Sequence, residues 1–322
     1  MSNRLRALTS LAAGAVIGTI TAALAQDNYP SRPIRLITPE VVGSAADVLS
    51  RIIAQAIGQA LGQPVSIENL FLEAGVEKGI KSPPDGYTLI YGSSGNLALL
   101  PHVKKVSFEP LTDVTPIARF AIQPTLIAVN PSLAVNTLQD LMALMKAKPG
   151  ELRMSTAGAG TAGHFAGERL IAMAGVKPTV VHYNGGGPAI EAVVNNDSQW
   201  TVAPIAGRLP HVRTGKLRAL AVGSPSRLSM LPDVPTVEEA GYAGFRDVGW
   251  GALFVPNGTP QPVIDKLNAT IAHVVTLPEV KKQFEDQGTE PASSSQADMK
   301  ALLEADYRRF GELAKSLGVK SD

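Results

Sequence analysis

The stretch Ser155–Glu168 reads STAGAGTAGHFAGE and joins a short apolar run, Leu152–Ser155, to a helix-like run, His164–Ala174. A strand, a glycine-rich turn and a helix in that order form the repeating unit of an α/β fold. Small residues in such a turn let backbone N–H groups approach an anion, and the N-terminus of the helix adds a favourable dipole. The sequence therefore predicts an anion site at this turn, where Gly158, Gly160 and Gly163 bracket Thr161.

Short β-like runs alternate with helix-like runs along most of the chain, which indicates an α/β protein with largely parallel sheets. The predicted strands are Ile34–Thr38, Val65–Asn69, Thr88–Gly92, Thr125–Val129, Leu152–Ser155, Val180–His182, Thr201–Ala203, Leu217–Val222 and Trp250–Val255. The longer predicted helices are Ala46–Leu61, Leu138–Ala147, Gln261–His273 and Ala297–Leu317.

Residues 1–25 have the pattern of a cleavable export signal. Arg4 and Arg6 carry its positive charge, Leu8–Leu24 is apolar and uncharged, and Ala23-Leu24-Ala25 is a small-x-small cleavage site. A signal anchor is the alternative, although the apolar stretch is short and rich in Gly and Thr. We expect export to the periplasm. The chain contains no cysteine, which excludes disulfides, thiolate metal sites and a lipid anchor.

Charge and length narrow the class of protein further. Removal of the leader takes away two arginines and no acids, so 27 basic and 28 acidic residues nearly balance. There is no basic stripe for nucleic acid and no polybasic run for anionic lipid. A mature chain of roughly 300 residues buries a large core and usually divides into two lobes. We expect no nucleic-acid partner and a monomer.

The order of the predicted elements places two crossings between the lobes. The chain passes into the second lobe near Ile122–Thr125 and returns near Arg246–Gly251. The predicted first lobe is 26–123 plus 247–322, and the predicted second lobe is 124–246. Two crossings allow a hinge, and the cleft between the lobes is the expected ligand site.

Three more turns of small residues follow predicted strands: Thr38–Asp47 (TPEVVGSAAD), Gly92–Asn96 (GSSGN) and Tyr183–Ala189 (YNGGGPA). Ligands of open α/β sheets bind outside the carboxyl ends of the strands, where these turns lie. Any one glycine turn also serves as a tight connection, but four in one chain favour a binding cleft. Glu40 is unexpected there, because an acid would repel an anion unless it turns away or is protonated.

Enzymatic alternatives find little support. Gly158–Gly163 fits the dinucleotide pattern GxGxxG, but the acid expected after the next strand is missing, since Val180–His182 runs into Tyr183. The chain has no GxSxG elbow and no HExxH motif, and its histidines lack metal-ligand spacing. We therefore expect no catalysis, cofactor or metal. His164, near the start of the helix, either donates to a ligand oxygen or is hydrogen-bonded locally.

Several segments together resemble one family of receptors. They are Tyr29–Ile37 (YPSRPIRLI), Pro83–Leu89 (PPDGYTL), Tyr183–Ala189, Gly215–Val222 (GKLRALAV) and Leu231–Val237 (LPDVPTV). In this order they resemble the Bug-type periplasmic solute receptors, the substrate-binding components of tripartite tricarboxylate transporters. The resemblance covers the whole mature chain. It implies a two-lobed, type II periplasmic-binding-protein-like fold, each lobe being a mostly parallel sheet flanked by helices.

The resemblance also implies a function and a partner. Such a receptor closes on a small organic acid, a di- or tricarboxylate or an aromatic carboxylate, and delivers it to integral membrane transporter subunits or to a sensor kinase. The ligand-binding positions that it implies here are Gly43, Ser44, Ala45 and Asp47 in the first loop, Ser93, Ser94 and Asn96 in the second, Gly160, Thr161, Ala162, Gly163 and His164 in the other lobe, Tyr183 and Gly186 in the last loop, and Ala203.

The chain departs from the family pattern at three places. The first loop reads Glu40-Val41-Val42-Gly43-Ser44 where the family is rich in Phe, Pro and glycine. The segment 70–82 replaces several glycines and looks short, which leaves open an eroded receptor with weak binding. Family members often carry an acid at the position of Ala203, which suits a ligand amino group. Its absence argues against amino-acid ligands.

Overall fold

The computed structural model describes residues 29–318, and the predicted leader 1–25 lies outside them. The strands are β1 (Ile34–Thr38), β2 (Val65–Asn69), β3 (Thr88–Ser93), β4 (Val114–Val129), β5 (Arg153–Thr156), β6 (Thr179–His182), β7 (Trp200–Pro204), β8 (Arg218–Val222), β9 (Val248–Pro256) and β10 (Glu290–Pro291). The helices are α1 (Ala45–Leu61), α2 (Glu73–Ile80), α3 (Leu100–Val103), α4 (Leu138–Ala147), α5 (Ala162–Ala174), α6 (Gly186–Val194), α7 (Leu209–Arg213), α8 (Gln261–Val274), α9 (Pro278–Asp286) and α10 (Gln296–Leu317). A π-helical segment, Ser94–Leu99, precedes α3.

One long strand, β4, belongs to the sheets of both lobes. The strand order is β2-β1-β3-β9-β4-β7-β5-β6, with β10 and β8 also paired to β4. Pro124 pairs with Val248 of β9 on the first-lobe side, and Thr125 pairs with Pro204 of β7 on the second-lobe side. Strand β4 therefore changes its pairing partner between Pro124 and Thr125. This position supports the predicted boundary between the lobes at 123/124, although the residue ranges of the lobes stay a prediction.

The α/β class and the two-lobed fold are confirmed, but the sheets are mixed. Among residues 29–318, four strand pairings are parallel and five are antiparallel. The parallel ones join β1 to β2 and β3, and β5 to β6 and β7. The antiparallel ones involve the strands that link the lobes. Because the chain enters the second lobe along β4 and returns along β9, these two neighbours run in opposite directions.

Each sheet buries apolar side chains on both faces. In the first lobe, Leu253 packs in a core with α1 and α8, and the next residue, Phe254, packs in a separate core with α10. In the second lobe, Ile127 packs in a core with α4 and α5. The preceding residue, Leu126, packs on the other face in a core with α6 and α7. Side chains of successive strand residues point to opposite faces, so helices must cover both.

Two elements differ from the sequence prediction. The strand predicted as Thr125–Val129 begins already at Val114, and its ladder with β9 shifts register between Pro116 and Ala118. Proline has no N–H to donate, and a bulge at that point accommodates it. The divergent segment 70–82 forms α2, which was not predicted as a helix. The structure thus gives regular backbone to both regions.

Within residues 29–318, no helix is long and apolar enough to cross a membrane.

Candidate functional site

A cavity lies between the two lobes, where turns from both meet. Of the fifteen predicted site residues, the cavity wall includes Ser44, Ala45, Ser93, Ser94, Asn96, Gly160, Thr161, Ala162, Gly163, Gly186 and Ala203. Gly43, Asp47, His164 and Tyr183 are not part of the wall. The space in which the centre of a water molecule moves freely measures ≈ 100 Å³. One water needs about 10–15 Å³ of such space, so the cavity suits a small ligand.

The first turn is ordered by Asp47 from behind the cavity wall. Its carboxylate accepts hydrogen bonds from Gly43 N (2.9 Å) and Asn69 Nδ2 (2.9 Å) and pairs with Arg51. Burial acts to raise the pKa of Asp47, but these hydrogen bonds hold it below its usual value. Ser44 caps α1 by accepting from Asp47 N at 3.2 Å. Asp47 therefore positions the first turn, and its predicted ligand contact stays untested.

The second turn uses most of its polar groups internally. Ser93 and Asn96 form a reciprocal capping box, with Ser93 N donating to Asn96 Oδ1 at 2.8 Å and Asn96 N donating to Ser93 Oγ at 3.2 Å. The hydroxyl of Ser94 lies on the cavity wall, near the backbone of Gly249. A methyl group at Gly249 would stand 3.0 Å from this hydroxyl.

The third turn is the one that begins at Ser155. Thr161 caps α5: its Oγ1 accepts from His164 N at 3.4 Å and donates to Gly158 O at 2.8 Å. The ring of His164 accepts at Nδ1 from Gly160 N (3.1 Å), and its Nε2 lies 3.6 Å from Glu168 Oε1. His164 thus shapes the turn and takes up the Gly160 amide. The first amides of α5, at Ala162 and Gly163, have no acceptor within the helix and border the cavity.

The last turn brings the two lobes into contact. Gly185 has φ 106°, and a methyl group there would lie 2.3 Å from Val41 Cγ2 of the first lobe. Gly186 approaches Ser44 in the same region. Tyr183 is turned aside, and its hydroxyl lies 3.1 Å from Ser198 Oγ. Glycine is therefore needed where the turn meets the first loop.

The cavity wall includes a buried arginine that no sequence pattern predicted. Arg208, between β7 and α7, is 2% exposed, and its Nη1 donates to Pro204 O at 3.1 Å. The Nε of Arg208 has no hydrogen-bond partner. The Arg208 side chain forms no ion pair with any acid within residues 29–318. Burial alone lowers the pKa of Arg208 to about 10, so it is charged at neutral pH. No motif surrounds this residue, and only the folded chain brings it to the cavity.

Two acids also line the cavity, Glu40 and Asp247. Burial raises the pKa of Glu40 to about 7. Burial also raises the pKa of Asp247, an effect that the hydrogen bond from Thr125 and the charges of Arg309 and Arg169 partly offset. The acid noticed in the first loop therefore does face the ligand space. The cavity is not lined by main-chain donors alone, as the glycine turns had suggested.

Replacing Glu40 with glutamine is expected to stabilise the empty protein in alkaline solution. The pKa of Glu40 rises from 4.5 to about 7 on folding, so folding retains a proton and the free energy of unfolding falls as pH rises through this interval. The full shift corresponds to at most about 3 kcal/mol, less where water in the cavity screens the carboxylate. Urea unfolding at about pH 5 and about pH 8 measures the difference, which is largest at the higher pH.

The exposed Glu191 of α6 provides the matched control for this substitution. Glu191→Gln is expected to leave the pH profile unchanged. If Glu40→Gln follows the same profile as the original chain, Glu40 titrates normally and does not face a dry cavity.

Within residues 29–318, no three His, Cys, Asp or Glu residues lie close enough together to hold a metal ion. The cavity wall carries groups that can bind a polar ligand: one guanidinium, two acids, the first residues of α1, α5 and α6, and the hydroxyl and amide side chains of Ser44, Ser93, Ser94, Thr125, Thr161, Tyr91, Asn96 and Gln123. Two lobes on shared strands around such a cavity define a bilobed solute-binding protein.

Comparison with known proteins agrees with this class. The profile of the "Tripartite tricarboxylate transporter family receptor" matches residues 49–319. The chain is 30% identical over 309 residues to protein BugT of Bordetella pertussis, covering 94% of each chain. A protein of R. palustris solved with adipate superimposes with a TM-score of 0.87 at 30% identity, covering 91% of this chain and 99% of that one. MatC from Rhodopseudomonas palustris, solved with bound malate, gives a TM-score of 0.82 at 28% identity, covering 88% and 99%.

The chain belongs to the tripartite tricarboxylate transporter receptor family and is similar to Bug proteins.

Proposed function

We propose that this chain is a periplasmic receptor that captures a small organic acid between its lobes and delivers it, unchanged, to membrane transporter subunits. The export signal supports the compartment, and family membership supports the transporter as partner. The cavity offers hydrogen-bond donors from both lobes, so the ligand draws the lobes together. Closure then forms the surface that the membrane partner recognises.

The observation that carries this proposal is the unpaired guanidinium of Arg208. A buried charge without a partner costs free energy, and the protein sustains it where a ligand supplies the opposite charge. Arg pairs with a carboxylate through two parallel, charge-assisted hydrogen bonds, which are stronger than neutral ones. The free amides at the start of α5, at Ala162 and Gly163, and the N-termini of α1 and α6 add further positive potential around the cavity.

The size and charge of the cavity limit which class of organic acid it can bind. The bound adipate and malate of the two related structures support a ligand of that size. A tricarboxylate would bring three negative charges beside Glu40 and Asp247, which like-charge repulsion disfavours. We therefore favour acids with one or two carboxylates over citrate-like ones.

The divergent segment does not remove the cavity. Leu72 contributes to the cavity wall, and α2 packs so closely on the first loop that a methyl group at Gly75 would lie 2.9 Å from Pro39 Cα. This arrangement supports a working receptor over an eroded one.

Thermal unfolding of the mature protein with added acids tests the proposal. Adipate, malate, benzoate and citrate are compared with sodium chloride at equal ionic strength. A ligand present at about 1,000 times its dissociation constant adds roughly 4 kcal/mol to the free energy of unfolding, which gives a shift of several degrees. If no organic acid raises the melting temperature above the salt control, the proposed function is wrong.

A further inference from the structure

One aromatic side chain of the second lobe is buried in an apolar core of the first lobe. Phe165, on α5, is 1% exposed, and the other buried residues of its cluster all belong to the first lobe. They include Leu100 and Val103 of α3 and Phe310 of α10. Phe165 itself is not part of the cavity wall. The ring therefore joins the two lobes beside the ligand site and not within it.

The periodicity of α5 shows that the first lobe is what buries this ring. Gly163 and Gly167 stand against β7 and β5, and Leu170 lies in the second lobe's own core. At 3.6 residues per turn, Phe165 points to the side of the helix opposite Gly163 and Gly167. Ala172, two turns further along that opposite side, is exposed. Phe165 is thus covered only because the first lobe packs against the start of α5.

The turn before α5 meets the first lobe through apolar groups as well. A methyl group at Gly160 would lie 2.8 Å from Val103 Cγ2, and one at Gly95 would lie 3.6 Å from Ala162 Cβ. The π-helical segment Ser94–Leu99 packs against α5. Contacts of this kind stabilise a structure roughly in proportion to the apolar area that they remove from water. They favour the arrangement in which the lobes are together.

Opening of the cavity would break the contact of Phe165. Ser44 and Thr161 line the cavity from opposite lobes, and Phe165 follows Thr161 by one turn of α5. A rotation about β4 and β9 that separates these two turns also withdraws the ring from the first lobe. The open form then exposes both the ring and the apolar side chains that covered it, which costs free energy. Closure around a ligand and burial of Phe165 are therefore one event.

We propose that Phe165 is a positioning residue for ligand capture, whose burial in the first lobe stabilises the closed form and so raises ligand affinity. The inference rests on the proposed function and assigns part of the affinity to a residue outside the ligand site. The apparent affinity of a receptor rises with the population of its binding-competent form. Without ligand, the protein exchanges between an open form with the ring exposed and a closed form with the ring buried.

Because the chain contains no cysteine, a single introduced thiol reports directly on this exposure. Phe165→Cys places the thiol at the contact, Leu170→Cys places it in the second lobe's own core, and Met173→Cys places it on the exposed part of the same helix. Without ligand, a maleimide is expected to react with Phe165→Cys at least about tenfold faster than with Leu170→Cys.

Ligand is expected to protect the thiol of Phe165→Cys. The probe is whichever of malate and adipate raises the melting temperature of the unaltered chain more. At about 100 times its dissociation constant, this acid is expected to slow the reaction of Phe165→Cys at least about tenfold. The reactions of Leu170→Cys and Met173→Cys are expected to change less than about twofold, because neither residue lies between the lobes.

Calorimetric titration with the same acid measures the effect on affinity. Phe165→Ala is expected to weaken binding about tenfold, because the closed form loses a buried aromatic side chain and the open form loses nothing. Phe165→Leu keeps most of the apolar area, so its affinity is expected within about threefold of the original. The matched control is Leu170→Ala, which opens a void inside the second lobe. It is expected to lower the urea midpoint and to leave affinity unchanged.

The inference is wrong if the thiol of Phe165→Cys is as unreactive without ligand as that of Leu170→Cys, because the ring is then a fixed part of the core. An affinity of Phe165→Ala within about threefold of the original also contradicts it. So does failure of either variant to fold by circular dichroism, since the ring would then support the empty protein. All three results leave the proposed function intact. If no organic acid shifts the melting temperature of the unaltered chain, the proposed function is wrong and this inference falls with it.

Discussion

Replacing Arg208 with glutamine is expected to weaken carboxylate binding about a hundredfold, equivalent to roughly 3 kcal/mol. The same change is expected to stabilise the empty protein by about 1–2 kcal/mol, because it removes a buried charge that lacks a partner. Opposite effects on affinity and stability distinguish a ligand-binding arginine from one that supports the fold. Calorimetric titration and urea unfolding measure the two quantities on the same preparation.

Two further variants test whether the effect of Arg208→Gln comes from the lost contact with the ligand. Arg208→Lys keeps the charge but loses the bidentate geometry, so we expect affinity between those of the original chain and Arg208→Gln. Arg153, exposed on β5, provides the control Arg153→Gln, which is expected to change neither quantity. A large loss of stability in Arg208→Gln with unchanged affinity would show that the guanidinium serves the fold through Pro204.

Replacing Thr161 with arginine is expected to abolish binding, because the long side chain enters the cavity at the start of α5. The substitution also removes a helix cap, which costs about 1 kcal/mol of stability. The fold is expected to survive this loss. A ligand at about 1,000 times its original dissociation constant then no longer shifts the melting temperature.

Thr137 offers a matched control for the lost cap. Its side-chain hydroxyl accepts a hydrogen bond from the backbone N–H of the third residue of α4, Asp140, as that of Thr161 does from His164 in α5. Thr137 is exposed and is not part of the cavity wall. Thr137→Arg is expected to lose a similar amount of stability and to bind ligand normally. Normal binding by Thr161→Arg would move the site away from this turn.

Local signals in the sequence were sufficient for the framework of the fold. β1, β2 and α4 begin and end where their apolar patterns and caps predict. The glycine turns could be located because a cap such as Thr161 and its glycines are neighbours in the chain. Chain order then placed these turns at one end of the strands.

The rest depends on contacts between distant segments. The length of β4 was hidden because Pro116 and Pro124 interrupt its strand pattern, and only pairing with β9 shows that it continues. Arg208 and Asp247 stand in loops without a motif, so nothing local marks them as facing a cavity. Asp47 and His164 lie at the predicted turns but outside the cavity wall, and their hydrogen bonds with the amides of Gly43 and Gly160 hold them against their own loops. Their predicted ligand contacts stay predictions.

The ladder between β4 and β9 runs, with two shifts of register, from Val114 opposite Pro256 to Pro124 opposite Val248. Any rotation of one lobe against the other bends this two-stranded ribbon where it ends, beside Thr125 and Asp247. In such a rotation the groups at the pivot would move little, whereas Ser44 and Thr161, on turns from opposite lobes, would separate most. For the receptor proposed above, we therefore expect a solute held at this pivot to keep that contact as the lobes open, and its release to begin at the turns.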